Sequence, residues 1–163
     1  MSAVRRHQDH GAVLLMDLDG FKQINDKYGH DAGDLVLQTV AQRLQQTVRR
    51  EDIVGRLGGD EFLIFVHYLN SNEVEAKEKV QKIAQKLIQK IQSPIDFQQT
   101  NLHVGASIGV SLIGFKELDV GSVIKRADRA MYRAKRGAQG RVVFYQPGIE
   151  PELESISDPN DLK

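Results

Sequence analysis

Apolar positions change their period several times along the chain, and each change predicts an element. Ala12-Val13-Leu14-Leu15-Met16 is apolar without alternation, as in a strand buried on both faces, and it runs into Asp17-Leu18-Asp19-Gly20. Phe21 to Tyr28 reads as a short helix closed by Gly29, with Lys22 and Asn25 on one face. His30-Asp31-Ala32-Gly33-Asp34 opens a second helix, striped by Leu37, Val40, Ala41, Leu44 and Val48. Asp31 is its expected N-cap, with Asp34 three residues on as in a capping box. Ile53-Val54 and Phe62-Leu63-Ile64-Phe65-Val66 flank Gly58-Gly59, the pattern of a hairpin whose turn needs positive φ.

Asn72-x-x-Glu75 predicts the cap of a long helix reaching Gln92, striped by Val80, Ile83, Ala84, Leu87, Ile88 and Ile91. Leu102, Val104, Ala106, Ile108 and Val110 alternate as one strand, and Gly105 and Gly109 within it point to a bulge or a close neighbour. Asp119 or Ser122 starts a last helix with Val123, Ile124, Ala127, Ala130, Met131 and Ala134 on its apolar face, and Val142 to Tyr145 is the last strand. One domain over 1–146 is expected, followed by a linker or disordered tail over 147–163. The order is strand, two helices, hairpin, helix, strand, helix, short strand. It predicts an α+β fold, an antiparallel-rich sheet covered by helices on the split βαβ or ferredoxin-like plan. In that plan the first strand lies beside the second hairpin strand, so Asp17 meets Asp60.

Composition narrows the function classes. The 163 residues suit one domain against a prior of about 150. The 22 basic and 22 acidic residues cancel, which leaves no electrostatic case for long nucleic acid or an anionic membrane. The absence of cysteine excludes disulfides and thiolate zinc sites and suits a reducing, cytoplasmic compartment. No apolar run is long enough to span a bilayer, although a longer parent chain could carry a membrane anchor.

The candidate chemistry is acidic. Asp17 and Asp19, two apart on a strand, share a face. A strand ending in two same-face acids can hold a divalent cation, and Mg²⁺ takes one or two carboxylates plus substrate phosphates. Asp60 and Glu61 follow the hairpin glycines, and as neighbours on a strand only one of them would face a given site. On its own such a tip is equally a solvated turn. Arg49-Arg50-Glu51-Asp52 reads by itself as a charged loop with a surface ion pair.

Gly58-Gly59-Asp60-Glu61-Phe62 matches, letter for letter, the signature of the GGDEF domain of bacterial diguanylate cyclases. The run from Asp17-Leu18-Asp19-Gly20-Phe21-Lys22 through Asn25-Asp26, Gly29-His30 and Gly33-Asp34 resembles the family's first motif. Arg126-Ala127-Asp128-x-Ala130-Met131-Tyr132-x-Ala134-Lys135 resembles its last. The resemblance implies a palm-like nucleotidyl-cyclase fold and condensation of two GTP into cyclic di-GMP with release of two pyrophosphates. It implies Mg²⁺, with Mn²⁺ as an alternative, on Asp17, the Leu18 carbonyl and Asp60. Asp60 is then also the expected base, Glu61 supports the site, and Lys22 and Lys135 meet the triphosphate. Asn25 and Asp34 read guanine, with Phe21 among the substrate contacts. A carboxylate can accept from both N1–H and the exocyclic amine of guanine, a pair that adenine lacks. Arg49-x-x-Asp52 resembles the family's product-inhibition site for cyclic di-GMP, where an arginine fork suits guanine or phosphate.

Three departures qualify the resemblance. The upstream helix and D-x-L-T-G-L-x-N-R segment are missing, so the chain is expected to begin inside the family's first helix. Gln139 stands where the last motif has arginine. No sensor or dimerisation domain is visible, whereas the chemistry implied needs a second GGDEF domain face to face, a homodimer in the active state. The alternative expectation is a regulatory module that binds GTP or cyclic di-GMP without turnover.

Overall fold

A computed structural model describes residues 9–114, 119–137 and 141–147. The expectations about Met1 to Gln8, Gln139 and the tail from residue 148 lie outside them. The chain forms β1 (Gly11–Asp19), α1 (Phe21–Tyr28), α2 (His30–Thr47), β2 (Ile53–Gly58), β3 (Glu61–Val66), α3 (Glu73–Ile91), β4 (Ile95–Phe97), β5 (Thr100–Leu102), β6 (Gly105–Ile113), α4 (Val120–Arg136) and β7 (Val142–Phe144). Five strands make one sheet in the order β2-β3-β1-β6-β7, and β4 and β5 form a separate ribbon. This is the α+β, ferredoxin-like plan, with β1 antiparallel to β3 as expected.

β1 has a neighbour on each side, which explains its unbroken apolar run: both faces and both edges are covered. Its even-numbered residues Ala12, Leu14, Met16 and Leu18 join the main core with α2 and α3. Val13 and Leu15 point the other way and pack under Val123, Ala127 and Met131 of α4. Asp17 and Asp19 continue that second face past the end of its apolar part.

β6 and β7 are parallel, so α4 must carry the chain back to the sheet edge where β6 begins. That is the edge where β1 ends, since Asp19 pairs with Gly105. The last turn of α4 therefore arrives beside Asp17. Its seat depends on Gly109: a Cβ there would lie 2.1 Å from the Ala127 carbonyl oxygen and 2.1 Å from the Met131 nitrogen. The close approach expected from a glycine in this strand is thus made by the helix backbone.

Several local expectations change. The first strand runs to Asp19 and so ends in the two acids as expected, but other boundaries move. Gly29, not Asp31, is the N-cap of α2; Asp31 sits within the first turn, and no side chain caps this end. The buried line of α2 runs through Ala32, Val36, Val40 and Leu44, while Leu37, Ala41 and Val48 are only partly covered. The strand expected over Leu102 to Val110 begins at Gly105, and Leu102 belongs to the β4–β5 ribbon. That ribbon turns on Gln98 and Gln99 at φ 47° and 67°. Glutamines do not announce a positive-φ turn as Asn-Gly does. Asn72 caps α3 as expected, accepting from the Val74 and Glu75 N–H groups, and Asp119 caps α4. Arg43 of α2 holds the far end of α3, donating to the Ser93 carbonyl at 2.7 Å and the Pro94 carbonyl at 2.9 Å. Among the described residues no helix is long and apolar enough to cross a membrane.

The Gly109 contact gives a direct test. Gly109→Ala must push α4 off the sheet, and urea unfolding should show a loss of about 2–3 kcal/mol. An unchanged midpoint would mean that the helix seat does not depend on this approach.

Candidate active site

Three chain segments meet at one edge of the sheet: the end of β1, the turn between β2 and β3, and the last turn of α4. The hairpin register shifts between Arg56 and Gly58, and Gly58 and Gly59 take φ values of 147° and 51°. Residues with a Cβ rarely adopt such angles, and the one at Gly58 all but requires glycine. The two-residue loop is Gly59-Asp60, and Glu61 is the first residue of β3. The turn is pinned twice: Arg56 Nε donates to the Gly59 carbonyl at 3.0 Å, and the Leu18 N–H donates to the Asp60 carbonyl at 3.2 Å.

This corrects the expectation that only one of Asp60 and Glu61 could face the site. Alternation applies within a strand, and Asp60 lies in the turn. Glu61 stands opposite Asp17 across the β1–β3 ladder, and the Asp60 charge acts on both Asp17 and Glu61. The predicted meeting of Asp17 and Asp60 is found.

Asp17 is 7 % exposed. Its Oδ2 accepts from Lys135 Nζ at 2.6 Å, while its Oδ1 is buried with no hydrogen-bond partner. Burial is the main reason its pKa is pushed up to about 6; Lys135 opposes this and the Asp60 charge adds to it. Burial also works to lower the pKa of Lys135, but the hydrogen bond and charge of Asp17, with the charges of Asp60 and Asp19, hold it above the ordinary lysine value. Glu61 is raised by burial, then by the charges of Asp128 and Asp60. The site is thus over-supplied with negative charge around one ammonium group.

Asp19 shares the face of Asp17, as its spacing predicts, and has a hydroxyl partner. Ser107 Oγ lies 3.0 Å from each of its carboxylate oxygens and donates there. Sequence reasoning missed Ser107; the signal was a hydroxyl at a strand position between apolar neighbours. It also gave no role to Gly33, where a Cβ would sit 1.8 Å from Asn25 Oδ1. Gly33 lets α1 and α2 close up, so that Asn25 lies against α2 one residue before Asp34. Phe21 and Lys22 open α1, whose N-cap Gly20 offers no side chain to the first-turn N–H groups. Those donors suit an anion.

The donor set fits a divalent cation. Among the described residues no three carboxylate or imidazole groups converge into a ready cage. Mg²⁺ does not require one, because two carboxylates with a backbone carbonyl leave room for phosphate oxygens. Asp17, with one bare buried oxygen beside Asp60, meets that requirement.

Arg49 and Asp52 lie at the other end of β2, roughly 20 Å of strand away. Their pairing is not the surface ion pair that the loop alone suggests. The Asp52 side chain is 1 % exposed; it accepts from the Arg49 N–H at 3.0 Å, from Arg49 Nε at 3.4 Å and from the His67 N–H at 3.0 Å. Arg49 also donates to the His67 carbonyl and approaches Glu51 at 3.6 Å, with its side chain 43 % exposed. Asp52 faces inward and orders the loop, and Arg49 is the member that a ligand can reach.

A hairpin acid, a buried strand aspartate and a helical lysine thus meet at one end of the sheet. Residues 1–141 match the family model described as "Diguanylate cyclase, GGDEF domain". The chain is 39% identical over 155 residues, 93% of its length, to the bifunctional diguanylate cyclase/cyclic di-GMP phosphodiesterase MucR of Pseudomonas aeruginosa, and covers 22% of that protein. It resembles a form of TpbB (YfiN) from Pseudomonas aeruginosa comprising only the GGDEF domain, with a TM-score of 0.82, 34% identity, and coverage of 94% of this chain and 87% of that one. The active GGEEF domain of a diguanylate cyclase from Vibrio cholerae matches with a TM-score of 0.76, 30% identity and 90% coverage of each chain. The chain belongs to the GGDEF diguanylate cyclase domain family. It spans about a third or less of the length of such curated relatives as MucR and diguanylate cyclase A of Treponema denticola.

The charge state of Asp17 carries a measurable cost. Folding raises its pKa from 3.8 to about 6, so the folded domain keeps this proton to a higher pH than the unfolded chain does. The stability it confers is full below about pH 4 and is lost as pH rises through about 6. In EDTA at pH 8, Asp17→Asn should therefore be more stable than the parent by about 2 kcal/mol, with the gap closing at acid pH. A variant no more stable at pH 8 would mean that the Lys135 pair outweighs burial.

Proposed function

We propose that this chain is a diguanylate cyclase catalytic domain, which condenses two GTP into cyclic di-GMP with release of two pyrophosphates. The observation that carries this reading is the bare, buried Oδ1 of Asp17 next to the turn acid Asp60, in a member of this family. A divalent cation, Mg²⁺ or Mn²⁺, held by Asp17, the Leu18 carbonyl and Asp60, supplies charge neutralisation on the triphosphate. The 3′-hydroxyl of each GTP attacks the α-phosphorus of the other, so that two P–O bonds form and two bonds to pyrophosphate break. Asp60 takes the hydroxyl proton, being the acid whose side chain leaves a turn rather than a packed strand. Glu61 reinforces the negative field that holds the cation in place.

Lys22, Lys135 and the first-turn N–H groups of α1 bind phosphate oxygens and oppose the charge that develops in the transition state. Asn25 and Asp34 select guanine, and Phe21 lines the same side. Each domain holds one GTP, so a second copy must face the first and bring the two substrates into line. Arg49, ordered by Asp52, takes cyclic di-GMP at the far end of β2 and limits turnover. The proposed unit is the domain of residues 1–146.

The test is a Mg²⁺-dependent GTP assay at high protein concentration with chromatographic detection of cyclic di-GMP. The parent should form product, and Asp60→Ala should lose at least about a hundredfold, the scale of a lost general base. Arg49→Ala should leave initial turnover intact and remove the slowing caused by added cyclic di-GMP. Binding of cyclic di-GMP with no turnover in the parent would instead make the domain a regulatory module.

A further inference from the structure

Lys135 stands in an unusual place for a residue assigned to a triphosphate. It is bonded at 2.6 Å to Asp17, a carboxylate proposed to hold the metal. The Asp60 and Asp19 charges also act on it. Asp19 differs from Asp17 in having a neutral hydroxyl partner, Ser107, in place of the ammonium. The pair of Asp17 and Lys135 is not a finished one: one Asp17 oxygen is held by the ammonium and the other is buried without a partner.

The two partners differ in freedom to move. The Asp17 side chain is 10 % exposed and belongs to a strand paired on both sides. The Lys135 side chain is 38 % exposed, on a flexible stem at the last turn of α4. If the pair opens, the lysine is the one that leaves. It cannot leave alone, since Asp17 and Asp60 would then face each other uncompensated. A cation arriving alone must compete with Lys135 for Asp17. A triphosphate gives the displaced ammonium a new anionic partner.

We propose that Lys135 is a displaceable counter-ion, occupying Asp17 in the nucleotide-free domain and released to the triphosphate, so that the site takes metal and nucleotide together and resists the metal alone. This role rests on the nucleotide reading above and adds the order in which its ligands are admitted. Because the coupling is an equilibrium property, each ligand must strengthen the other to the same degree.

The experiment is Mn²⁺ binding to the full 163-residue chain, followed by electron paramagnetic resonance of free Mn²⁺, with and without a non-hydrolysable GTP analogue. The parent should bind Mn²⁺ weakly alone and more tightly with the analogue. Lys135→Gln should bind Mn²⁺ alone about tenfold more tightly, the scale of releasing a partly buried ion pair, and should gain less from the analogue. Lys22→Gln removes the same charge without touching Asp17 and, in the absence of the analogue, should change the affinity for Mn²⁺ alone by less than about threefold. Equal tightening in both variants, or none in a folded Lys135→Gln, overturns the counter-ion role. If the parent binds Mn²⁺ and analogue together but Lys135→Gln does not tighten, only this role falls. If the parent binds neither, the nucleotide reading falls and this role with it. Circular dichroism melts check folding, and Lys135→Met, which keeps the apolar stem, carries the same expectation should the glutamine variant unfold.

Discussion

A carboxylate buried at the end of a central strand is the constraint on which the site depends. β1 is paired on both edges and covered on both faces, so whatever stands at its end is held in place and shielded from water. For an apolar side chain this would be ordinary core. For Asp17 it creates a standing demand for positive charge, because ionisation in a partly dry position is unfavourable without a partner. The topology supplies that partner by returning α4 to the same edge. The fold thus builds a cation preference before any ligand arrives, and it does so with backbone architecture more than with a dedicated cage.

Most of this was legible in the sequence because the fold's own signals are strong. An unbroken apolar run, two amphipathic helices, a Gly-Gly hairpin and a later alternating strand lead to one sheet order, and that order brings Asp17 to Asp60. What stayed hidden depended on three-dimensional coincidence. Asp60 and Glu61 could both serve because the turn ends one residue later than strand alternation implied. Asp31 lost the cap position to Gly29, because the link between α1 and α2 is a single glycine. The β4–β5 ribbon turns on glutamines in a conformation they seldom adopt. Ser107 and Gly33 matter through what lies against them, which spacing along the chain does not encode.

The Arg49 loop shows the same limit. Its four residues suggested either a surface ion pair or a ligand site, and the structure divides them. Asp52 is consumed in ordering the loop through Arg49 and His67, and of the Arg49–Asp52 pair it is Arg49 that keeps an outward share. A buried acid that orients a reachable arginine is a more defined device than two solvated charges, and it explains how a short loop could present a guanidinium in one fixed pose.

The two acids at the heart of the site also differ in mechanical support. Asp17 ends a strand braced from both sides. Asp60 sits at the tip of a hairpin whose outer strand, β2, is the sheet edge, with β3 as its single neighbour. Beyond β3, the turn is held by the Leu18 N–H on the Asp60 carbonyl and by Arg56 Nε on the Gly59 carbonyl. The site therefore pairs a carboxylate on a strand braced from both sides with one on the turn of an edge hairpin, and the Arg49 loop and the Asp60 turn are the two ends of that same edge strand.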